Sequence, residues 1–232
     1  MNKTNLILTA LLVTPGIMSA DPVRELKSDI EMLSYSIGMQ IGANLQQQGF
    51  DIDPVRIAQG MRAGFHGTEL LISAEDSSKA MARLRAQLSD KRKEKGEANL
   101  KAGQAFLEAN REQDGVVELD SGLQYKAIAE GEGASPQKQD RVTVHYRGRL
   151  LDGTEFDSSY KRGKPSEFGL TGVIKGWQEA LPLMKTGAKW ELYIPSKLAY
   201  GSRGKQPDIG PNSVLIFDIE LVAIKPNAKG TK

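Results

Sequence analysis

The sequence predicts an α+β protein, in which a helical N-terminal half precedes a C-terminal antiparallel sheet wrapped on one short helix. Two observations support this. Up to about residue 110, apolar residues recur at steps of three and four, which is the period of an amphipathic helix. From residue 116 onwards, short runs of alternating apolar and polar residues are separated by Gly, Pro and Asp, which is typical of strands and turns. With 232 residues, the chain is long enough for two ordinary domains.

The first twenty residues have the layout of a secretory signal peptide. Lys3 supplies a positive start, Leu6–Val13 is a short apolar run, and Ser19-Ala20 are small residues suited to cleavage. The apolar run is too short to span a bilayer, which takes about 20 residues. We therefore expect residues 1–20 to be removed and the protein to be exported without a transmembrane span. The sequence leaves open whether it stays in the periplasm or is associated with the outer membrane or cell surface.

Two amphipathic helices are expected next. The apolar stripe of the first helix consists of Leu26, Ile30, Leu33, Ile37, Ile41 and Leu45. The second helix should begin at Asp53-Pro54, an N-cap residue followed by proline at the first helical position, and should end at Gly67. Both helices carry more large apolar residues than one chain of this kind can bury, so we expect them to pair with a second copy.

The third helix is predicted to be the longest. Ser73 with Asp76 resembles a capping box at its start. Residues 89–99 contain no large apolar side chain, and a helix that is polar all round either bridges domains through solvent or is not helical. Apolar residues resume at Leu100, so we expect one continuous helix with a solvated middle. The alternative is two helices with a hinge near Gly96.

The C-terminal half begins after the turn Gln113-Asp114-Gly115. We therefore divide the mature chain into a helical domain of residues 21–113 that ends in the long helix, a sheet domain of residues 114–226 and a disordered tail of residues 227–232. The predicted elements of the sheet domain are strands at 116–119 and 123–129, a hairpin over 142–159, a short strand from Phe168, a helix over 176–184, and strands over 189–194 and 213–225.

The hairpin of residues 142–159 organises the sheet domain. Its Asp152-Gly153 turn suits a two-strand connection, because the glycine can adopt positive φ without steric cost. The second strand brings Phe156 and Asp157 back beside Tyr146. Two aromatic rings and one carboxylate with no neighbouring base favour an apolar pocket with a polar edge over an acid–base catalyst.

Composition excludes several classes of site. The 31 basic and 29 acidic residues nearly balance, so the chain lacks the basic field that nucleic-acid binding requires. The absence of cysteine excludes disulfides and thiolate metal sites. His66 and His145 stand in no metal-ligand spacing, and His145 lies on the opposite strand face from Tyr146, which favours a structural role. We therefore expect no metal, no cofactor and no nucleic-acid partner.

Four segments resemble the FKBP-type peptidyl-prolyl isomerases in family order and spacing: VHYRGRLLDGTEFDSS, VIKGWQEAL, IPSKLAYG and SVLIFDIEL. With the helical segment LSYSIGMQIG, the chain is similar to a narrower group, the macrophage-infectivity-potentiator-like and FkpA-like isomerases of Gram-negative bacteria. In that group an N-terminal helical module dimerises two chains, and a long helix holds the catalytic domains apart as a V. The resemblance implies a homodimeric isomerase that acts on X-Pro-containing polypeptides and binds inhibitors of the FK506 and rapamycin type.

The resemblance also assigns roles within the pocket. Trp177 would form the floor under the proline ring, while the N–H of Ile174 and the hydroxyl of Tyr200 would bond substrate carbonyl oxygens. Asp157 would hold Tyr146 and orient the substrate amide, so Tyr146, Asp157 and Tyr200 are the expected catalytic group. The expected substrate-binding residues are Phe156, Phe168, Val173, Ile174, Trp177, Ile209 and Phe217.

The sequence departs from the family at the rim of this pocket. The loop after Tyr200 reads GSRGKQPD, without the histidine or aromatic residue that some relatives carry there, and Ser166 replaces an aromatic residue found in others. These differences leave substrate preference and inhibitor affinity open. Two other functions also stay open: a dimeric chaperone that cradles clients, with isomerisation secondary, and a binding or adhesion module with a silent pocket. The complete aromatic set disfavours the silent pocket.

Overall fold

The structure is a computed structural model that describes residues 25–47 and 49–226. The expected signal peptide and C-terminal tail lie outside the described residues. Within those residues, no helix combines the length and the apolar character that crossing a membrane requires. By its internal contacts the chain divides into two units after Ser73, and not after residue 113.

The first unit contains the helices α1 (Asp29–Gln47) and α2 (Pro54–His66), as the sequence predicts. The N-cap of α2 forms as expected, because the Asp53 carboxylate accepts hydrogen bonds from the N–H groups of Val55 at 2.8 Å and Arg56 at 3.4 Å. Gly67 ends the helix with a left-handed backbone, φ 63°. Short sequence signals therefore decide both ends of α2.

The apolar side chains of this unit are largely uncovered. Neither α1 nor α2, which both lie inside the described ranges, contains a buried residue. Phe65 is 88% exposed and Ile30 is 75% exposed. More than a third of the side-chain surface is also exposed at Leu33, Tyr35, Ile37, Met39, Ile41 and Met61. The unit thus presents an apolar face that a single chain does not cover.

The long helix α3 (Ala74–Asn110) is continuous, so the alternative of a hinge near Gly96 is wrong. The expectation of a solvated middle is also wrong in part. Gly96 is buried, and both Arg92 and Asn99 donate hydrogen bonds to the sheet domain. A glycine here removes the side chain that would otherwise keep another segment away from the helix backbone. By its contacts, α3 belongs with the sheet.

The sheet is antiparallel throughout, and its order is β1-β2-β6-β7-β3-β4, with β5 pairing separately with β3. The predicted strands are all present with small differences at their ends; β5 begins two residues earlier than expected and β7 two residues later. The strands are β1 (Val116–Glu118), β2 (Gln124–Ala129), β3 (Arg141–Arg149), β4 (Glu155–Ser158), β5 (Ser166–Gly169), β6 (Lys189–Ile194) and β7 (Leu215–Lys225).

The short helix α4 (Lys175–Ala180) packs on the inner face of this sheet. The sequence predicts helix up to Met184, but the α-helix ends sooner and continues as a 3₁₀ turn, Leu181–Leu183. Pro182 explains the difference, because proline has no N–H to donate and its ring clashes with the preceding helical turn. Gly176 allows the close packing, since a Cβ there would lie 2.5 Å from Ile194 Cγ2. Trp177 is thereby held against the sheet.

Candidate functional site

An open cavity of about 400 Å³ lies between α4, the β3–β4 hairpin, β7 and the loop that precedes β7. All ten residues that the sequence analysis assigned to the pocket line it, together with Gly172, Lys205 and Asp208, which that analysis did not assign. The ten are Tyr146, Phe156, Asp157, Phe168, Val173, Ile174, Trp177, Tyr200, Ile209 and Phe217. The fold thus brings together residues from four separate segments of the sequence.

The floor of the cavity is a cluster of aromatic rings around Trp177. The indole is 4% exposed and meets three rings edge-to-face. Its centroid lies 5.2 Å from that of Tyr146, 5.1 Å from that of Phe217 and 5.6 Å from that of Phe168. Edge-to-face pairs at such distances are favourable because the positive edge of one ring meets the negative face of another. The floor is therefore rigid and apolar, and Phe168 supports it from behind as well as lining the cavity.

Gly148 of β3 makes room for two of the walls. It pairs with Asp157 of β4 on one side and with Phe217 of β7 on the other. A Cβ at this position would lie 2.6 Å from both Phe156 Cζ and Phe217 Cε1. The two rings therefore occupy the space that a side chain at position 148 would fill.

A network of three side chains forms the polar edge of the cavity. The Tyr146 hydroxyl donates to Asp157 Oδ2 at 2.6 Å. Arg162 donates to Asp157 Oδ1 at 2.5 Å through Nη1 and to the Tyr146 hydroxyl at 2.7 Å through Nη2. The same Nη2 donates to Ser166 Oγ at 3.1 Å. These three side chains thus fix one another, and Ser166 contacts the network through Arg162.

Sequence reasoning missed Arg162. The residue lies in a loop rich in Gly, Lys and Pro, where no periodic pattern gives a side chain a direction. The sequence did place Arg162 only five residues after Asp157. A guanidinium so close in the chain can pair with the Asp157 carboxylate, as it does in the structure. That spacing alone does not determine the loop's path.

The network sets opposite protonation states at its two titratable oxygens. Burial, followed by the hydrogen bond to Asp157, raises the pKa of Tyr146 to about 12. Burial of Asp157 opposes its ionisation, but the hydrogen bonds from Tyr146 and Arg162 outweigh it and lower the pKa of the carboxyl group. Tyr146 is therefore a neutral donor and Asp157 an ionised acceptor over the whole neutral range. A carboxylate with a lowered pKa is a poor general base.

These pKa shifts predict a flat pH–rate profile between about pH 5 and 9. The lowered pKa of Asp157 stabilises the fold above its ordinary value of about 3.9, and this contribution disappears as the pH falls through the lowered value. The raised pKa of Tyr146 stabilises the fold below about pH 10, and this contribution disappears towards about pH 12. We expect kcat/KM for an X-Pro tetrapeptide and the melting temperature to stay level between these limits. The prediction is wrong if kcat/KM changes with an apparent pKa near neutrality and the Asp157→Asn variant no longer shows that change.

Two hydrogen-bond donors belong to residues that line the cavity. Ile174 is the N-cap residue of α4 with extended backbone, φ −61° and ψ 151°, so its N–H precedes the helix and takes no part in the helical bonding. The second donor is the hydroxyl of Tyr200, which also lines the cavity. Within the described residues, neither group donates a hydrogen bond, so both are available to a ligand.

The rim of the cavity is charged. Ile209 is 2% exposed, and it is held by a pair of backbone hydrogen bonds with Lys205, both 2.8 Å. The Lys205 ammonium lies 5.6 Å from the centroid of the Tyr200 ring. Lys205 and Asp208 thus place one positive and one negative side chain at the rim of the cavity.

His145 is not among the residues that line the cavity. His145 Nδ1 is 3.1 Å from Ser159 Oγ, and its ring stacks on Tyr160 at 4.8 Å between centroids. Both contacts are on the outer side of β3, in agreement with the structural role expected for this residue. Within residues 25–47 and 49–226, no cluster of His, Asp and Glu side chains could hold a metal ion.

Two family models match the chain. The FKBP-type peptidyl-prolyl cis-trans isomerase model matches residues 132–222, which include the entire cavity. The model of the domain amino terminal to FKBP-type peptidyl-prolyl isomerase matches residues 30–127. Together the two models cover both units of the structure.

Individual relatives extend over the same length. The chain is 44% identical over 232 residues to the outer membrane protein MIP of Legionella longbeachae, covering 97% of this chain and 100% of that one. It is 42% identical over 211 residues to the peptidyl-prolyl cis-trans isomerase Mip of Coxiella burnetii, covering 89% and 92%. The crystal structure of FkpA from Escherichia coli matches with a TM-score of 0.62 at 34% identity, covering 87% and 99%. With its cavity and both of its units accounted for in this way, the chain belongs to the FKBP-type peptidyl-prolyl cis-trans isomerases of the Mip and FkpA type.

Proposed function

We propose that the chain speeds the folding of exported proteins by binding the twisted X-Pro amide in the cavity above Trp177. The observation that carries the proposal is the combination of an aromatic floor with a fixed polar edge, made by Tyr146, Asp157 and Arg162. The floor suits a proline ring, and the edge lies where the amide would be held. The family accounts for the reaction, while these contacts support where and how it takes place.

The reaction requires only selective binding. Resonance gives the prolyl C–N bond partial double-bond character, and the barrier to rotation is about 18–20 kcal/mol. The uncatalysed step takes tens to hundreds of seconds, so it can limit folding. No covalent bond breaks, and therefore a catalyst needs only to bind the twisted amide more tightly than the planar one. In the twisted amide the carbonyl is less polar, so an apolar cavity disfavours it less than it disfavours the planar form.

Each group then has a physical role. The Trp177 indole would contact the proline ring, while the Ile174 N–H and the Tyr200 hydroxyl would hold carbonyl oxygens of the substrate on either side. Asp157 would keep the Tyr146 hydroxyl oriented and place negative charge beside the rotating amide. Since its lowered pKa keeps Asp157 ionised, it has no proton to give, and rotation of the amide releases none for it to take.

Two substitutions test this assignment in an X-Pro tetrapeptide assay. Asp157→Leu leaves the Tyr146 hydroxyl and the Arg162 guanidinium without their acceptor, and we expect kcat/KM to fall roughly ten- to hundredfold, the range for a hydrogen bond to a charged group. Tyr200→Phe removes one neutral donor, so a roughly two- to tenfold fall is expected. Rapamycin should block the wild-type rate. Asp114→Leu makes the same chemical change at an exposed position outside the cavity and should retain that rate.

The assignment fails if Asp157→Leu and Tyr200→Phe both keep the activity of Asp114→Leu. If the wild-type chain isomerises the tetrapeptide no faster than buffer alone, the proposal that this cavity catalyses the reaction is wrong.

The proposal includes a homodimer formed through α1 and α2. The support is the apolar face of these helices, on which Ile30 is 75% and Leu33 61% exposed. The match of the amino-terminal family model to residues 30–127 places this face in a module that the relatives share. A second copy of the chain offers the same face and would cover it symmetrically.

A second candidate function is a chaperone that cradles partly folded clients. The specific observation is that exposed methionines lie among the apolar residues of this face, namely Met32, Met39 and Met61. Methionine side chains are flexible and polarisable, so surfaces rich in them adapt to varied partners. Isomerisation and client binding are compatible in one molecule, because the two surfaces belong to different units.

We also propose that the protein works in the bacterial envelope after export. The signal-like start of the sequence supports export, and the relative from Legionella longbeachae is named an outer membrane protein. The periplasm is the location that fits a folding enzyme for exported polypeptides. Cell fractionation, with the periplasmic and outer membrane fractions assayed separately, tests the choice between them.

A further inference from the structure

The segment of residues 200–214, here called the rim loop, forms one side of the cavity. It carries four of the lining residues, which are Tyr200, Lys205, Asp208 and Ile209. The loop contains a short 3₁₀ turn, Gly201–Arg203, and the two-residue bridge between Lys205 and Ile209. These local bonds join the loop to itself, while Ile209 and Tyr200 attach it to the core of the sheet domain by apolar packing. The polar contacts of the loop with the rest of the domain are made with α3.

One face of α3 lies directly against this loop. Two glycines of that face allow a close approach. A Cβ at Gly96 would lie 3.1 Å from Pro211 Cβ, and a Cβ at Gly103 would lie 2.7 Å from Val214 Cγ2. The spacing of the contacting residues follows the helical repeat, so they share one face: Arg92, Gly96, Asn99 and Gly103.

The polar residues of the same face bond to the backbone of the rim loop. Asn99 Nδ2 donates to the Pro211 carbonyl oxygen at 2.8 Å and lies 3.3 Å from Ser213 Oγ. The Arg92 guanidinium, about two turns earlier along the helix, donates to the Arg203 carbonyl oxygen. The stretch of α3 that reads as a solvated spacer in the sequence therefore makes directed contacts with one wall of the cavity.

Asn212 links the helix to the residue beside Tyr200. Its backbone is left-handed, with φ 55°, a conformation that asparagine tolerates better than most residues do. In this conformation its side-chain amide donates to the Gly96 carbonyl oxygen at 3.1 Å. Its backbone N–H donates to the Gly201 carbonyl oxygen at 2.8 Å. Two hydrogen bonds made by Asn212 thus connect α3 with the carbonyl group of Gly201, the residue next to Tyr200.

We propose that Asn99 and Asn212 are positioning residues for the isomerase: they hold the rim loop against α3 and so hold the Tyr200 hydroxyl at the substrate. The inference rests on the proposed function of Tyr200 as a donor to the substrate. It assigns α3 a part in catalysis in addition to its part in connecting the two units.

Isosteric substitutions in the full-length chain test the inference. Asn99→Asp and Asn212→Asp keep the shape of each side chain, and aspartate also tolerates the left-handed backbone at position 212. Each removes the amide donor and places a carboxylate oxygen against a carbonyl oxygen. We expect kcat/KM for an X-Pro tetrapeptide to fall roughly two- to tenfold, the range for one hydrogen bond. Gln104→Glu makes the same amide-to-carboxylate change at an exposed position of α3 and should keep the wild-type rate.

A second readout separates positioning from a general loss of stability. If Asn99 acts through the Tyr200 hydroxyl, then Asn99→Asp should have almost no further effect in a Tyr200→Phe background, because the group that it positions is already absent. If Asn99 only stabilises the domain, its effect should be the same in both backgrounds. All rates are measured well below the melting temperature of each variant, so that unfolded protein does not contribute.

The inference is overturned if Asn99→Asp is as active as Gln104→Glu, or if its effect persists undiminished in the Tyr200→Phe background. Failure of the proposed function would give a different result, namely full activity in Asp157→Leu. Asp157 makes no hydrogen bond to α3, so this variant leaves the contacts of α3 unchanged.

Discussion

Replacing Gly148 by alanine is expected to lower kcat/KM at least tenfold, the equivalent of about 1.4 kcal/mol of transition-state binding. The added methyl group would lie 2.6 Å from Phe156 Cζ and from Phe217 Cε1, well inside van der Waals contact. Phe217 is held by Trp177, with ring centroids 5.1 Å apart, so it has little freedom to move. Phe156 is half-buried and lines the cavity, so we expect this ring to shift, and a shift into the cavity would take up space that the proline ring needs.

The same substitution should reduce the free energy of unfolding by about 1–3 kcal/mol, as overpacking of a core does. The measurements are tetrapeptide isomerisation, rapamycin binding followed by the quenching of tryptophan fluorescence, and thermal unfolding. Gly169→Ala is the matched control, because this glycine also lies in a strand paired with β3 and its Cβ would meet nothing closer than 3.9 Å. Wild-type activity and rapamycin affinity in Gly148→Ala would show that the cavity is not where the substrate binds.

Replacing Leu33 by aspartate should convert the proposed dimer into a monomer. Leu33 is 61% exposed in the single chain, in the middle of the apolar face of α1. Burial of one such side chain contributes about 1.5–3 kcal/mol, and a symmetric dimer contains it twice. The dissociation constant should therefore rise by roughly 10²- to 10⁴-fold, before the cost of burying the carboxylates is added. Light scattering during size-exclusion chromatography measures the change as a halving of the molar mass.

The same variant tests the chaperone alternative. Tetrapeptide isomerisation should change less than about twofold, because the cavity residues belong to the other unit and none of them is altered. Protection of an unfolded client from aggregation should fall if the apolar face of α1 and α2 binds clients or if dimerisation shapes the binding surface. Gln87→Asp adds the same charge at an exposed polar position of α3 and should remain a dimer. A dimeric Leu33→Asp would refute the proposed interface.

Most helices and strands were predictable from the sequence, because they depend on interactions between residues that are close together in the chain. The Asp53 cap and Gly67 determine the ends of α2 through bonds that reach only a few residues. The turn at Gly153, with φ 85°, determines the hairpin in the same way. The strands follow from alternation, because successive side chains point to opposite faces and one face is buried. The helix expected to reach Met184 ends sooner for a reason that is also local, because Pro182 has no N–H to donate to the preceding turn.

The cavity residues were predictable from the sequence for a different reason. Alternation marks Tyr146 and Phe217 as inward-facing, but it does not distinguish a cavity wall from ordinary core. Their assignment to one pocket came from the resemblance of four segments to a known family. Arg162 was missed because it lies in a loop, where side-chain direction depends on the path of the chain and not on a periodicity.

Only the tertiary structure could reveal the role of α3. Its polar stretch has the composition of a solvated helix face, and nothing in that composition distinguishes an asparagine facing water from one that bonds a loop. Asn99 and the Pro211 carbonyl are separated by 112 residues, so their hydrogen bond exists only once α3 has packed on the folded sheet. Gly96 reads locally as a flexible point, but in the fold its missing side chain lets Pro211 approach the helix. Sequence thus determined the elements and, by family, the chemistry; packing between distant segments decided what holds the catalytic wall in place.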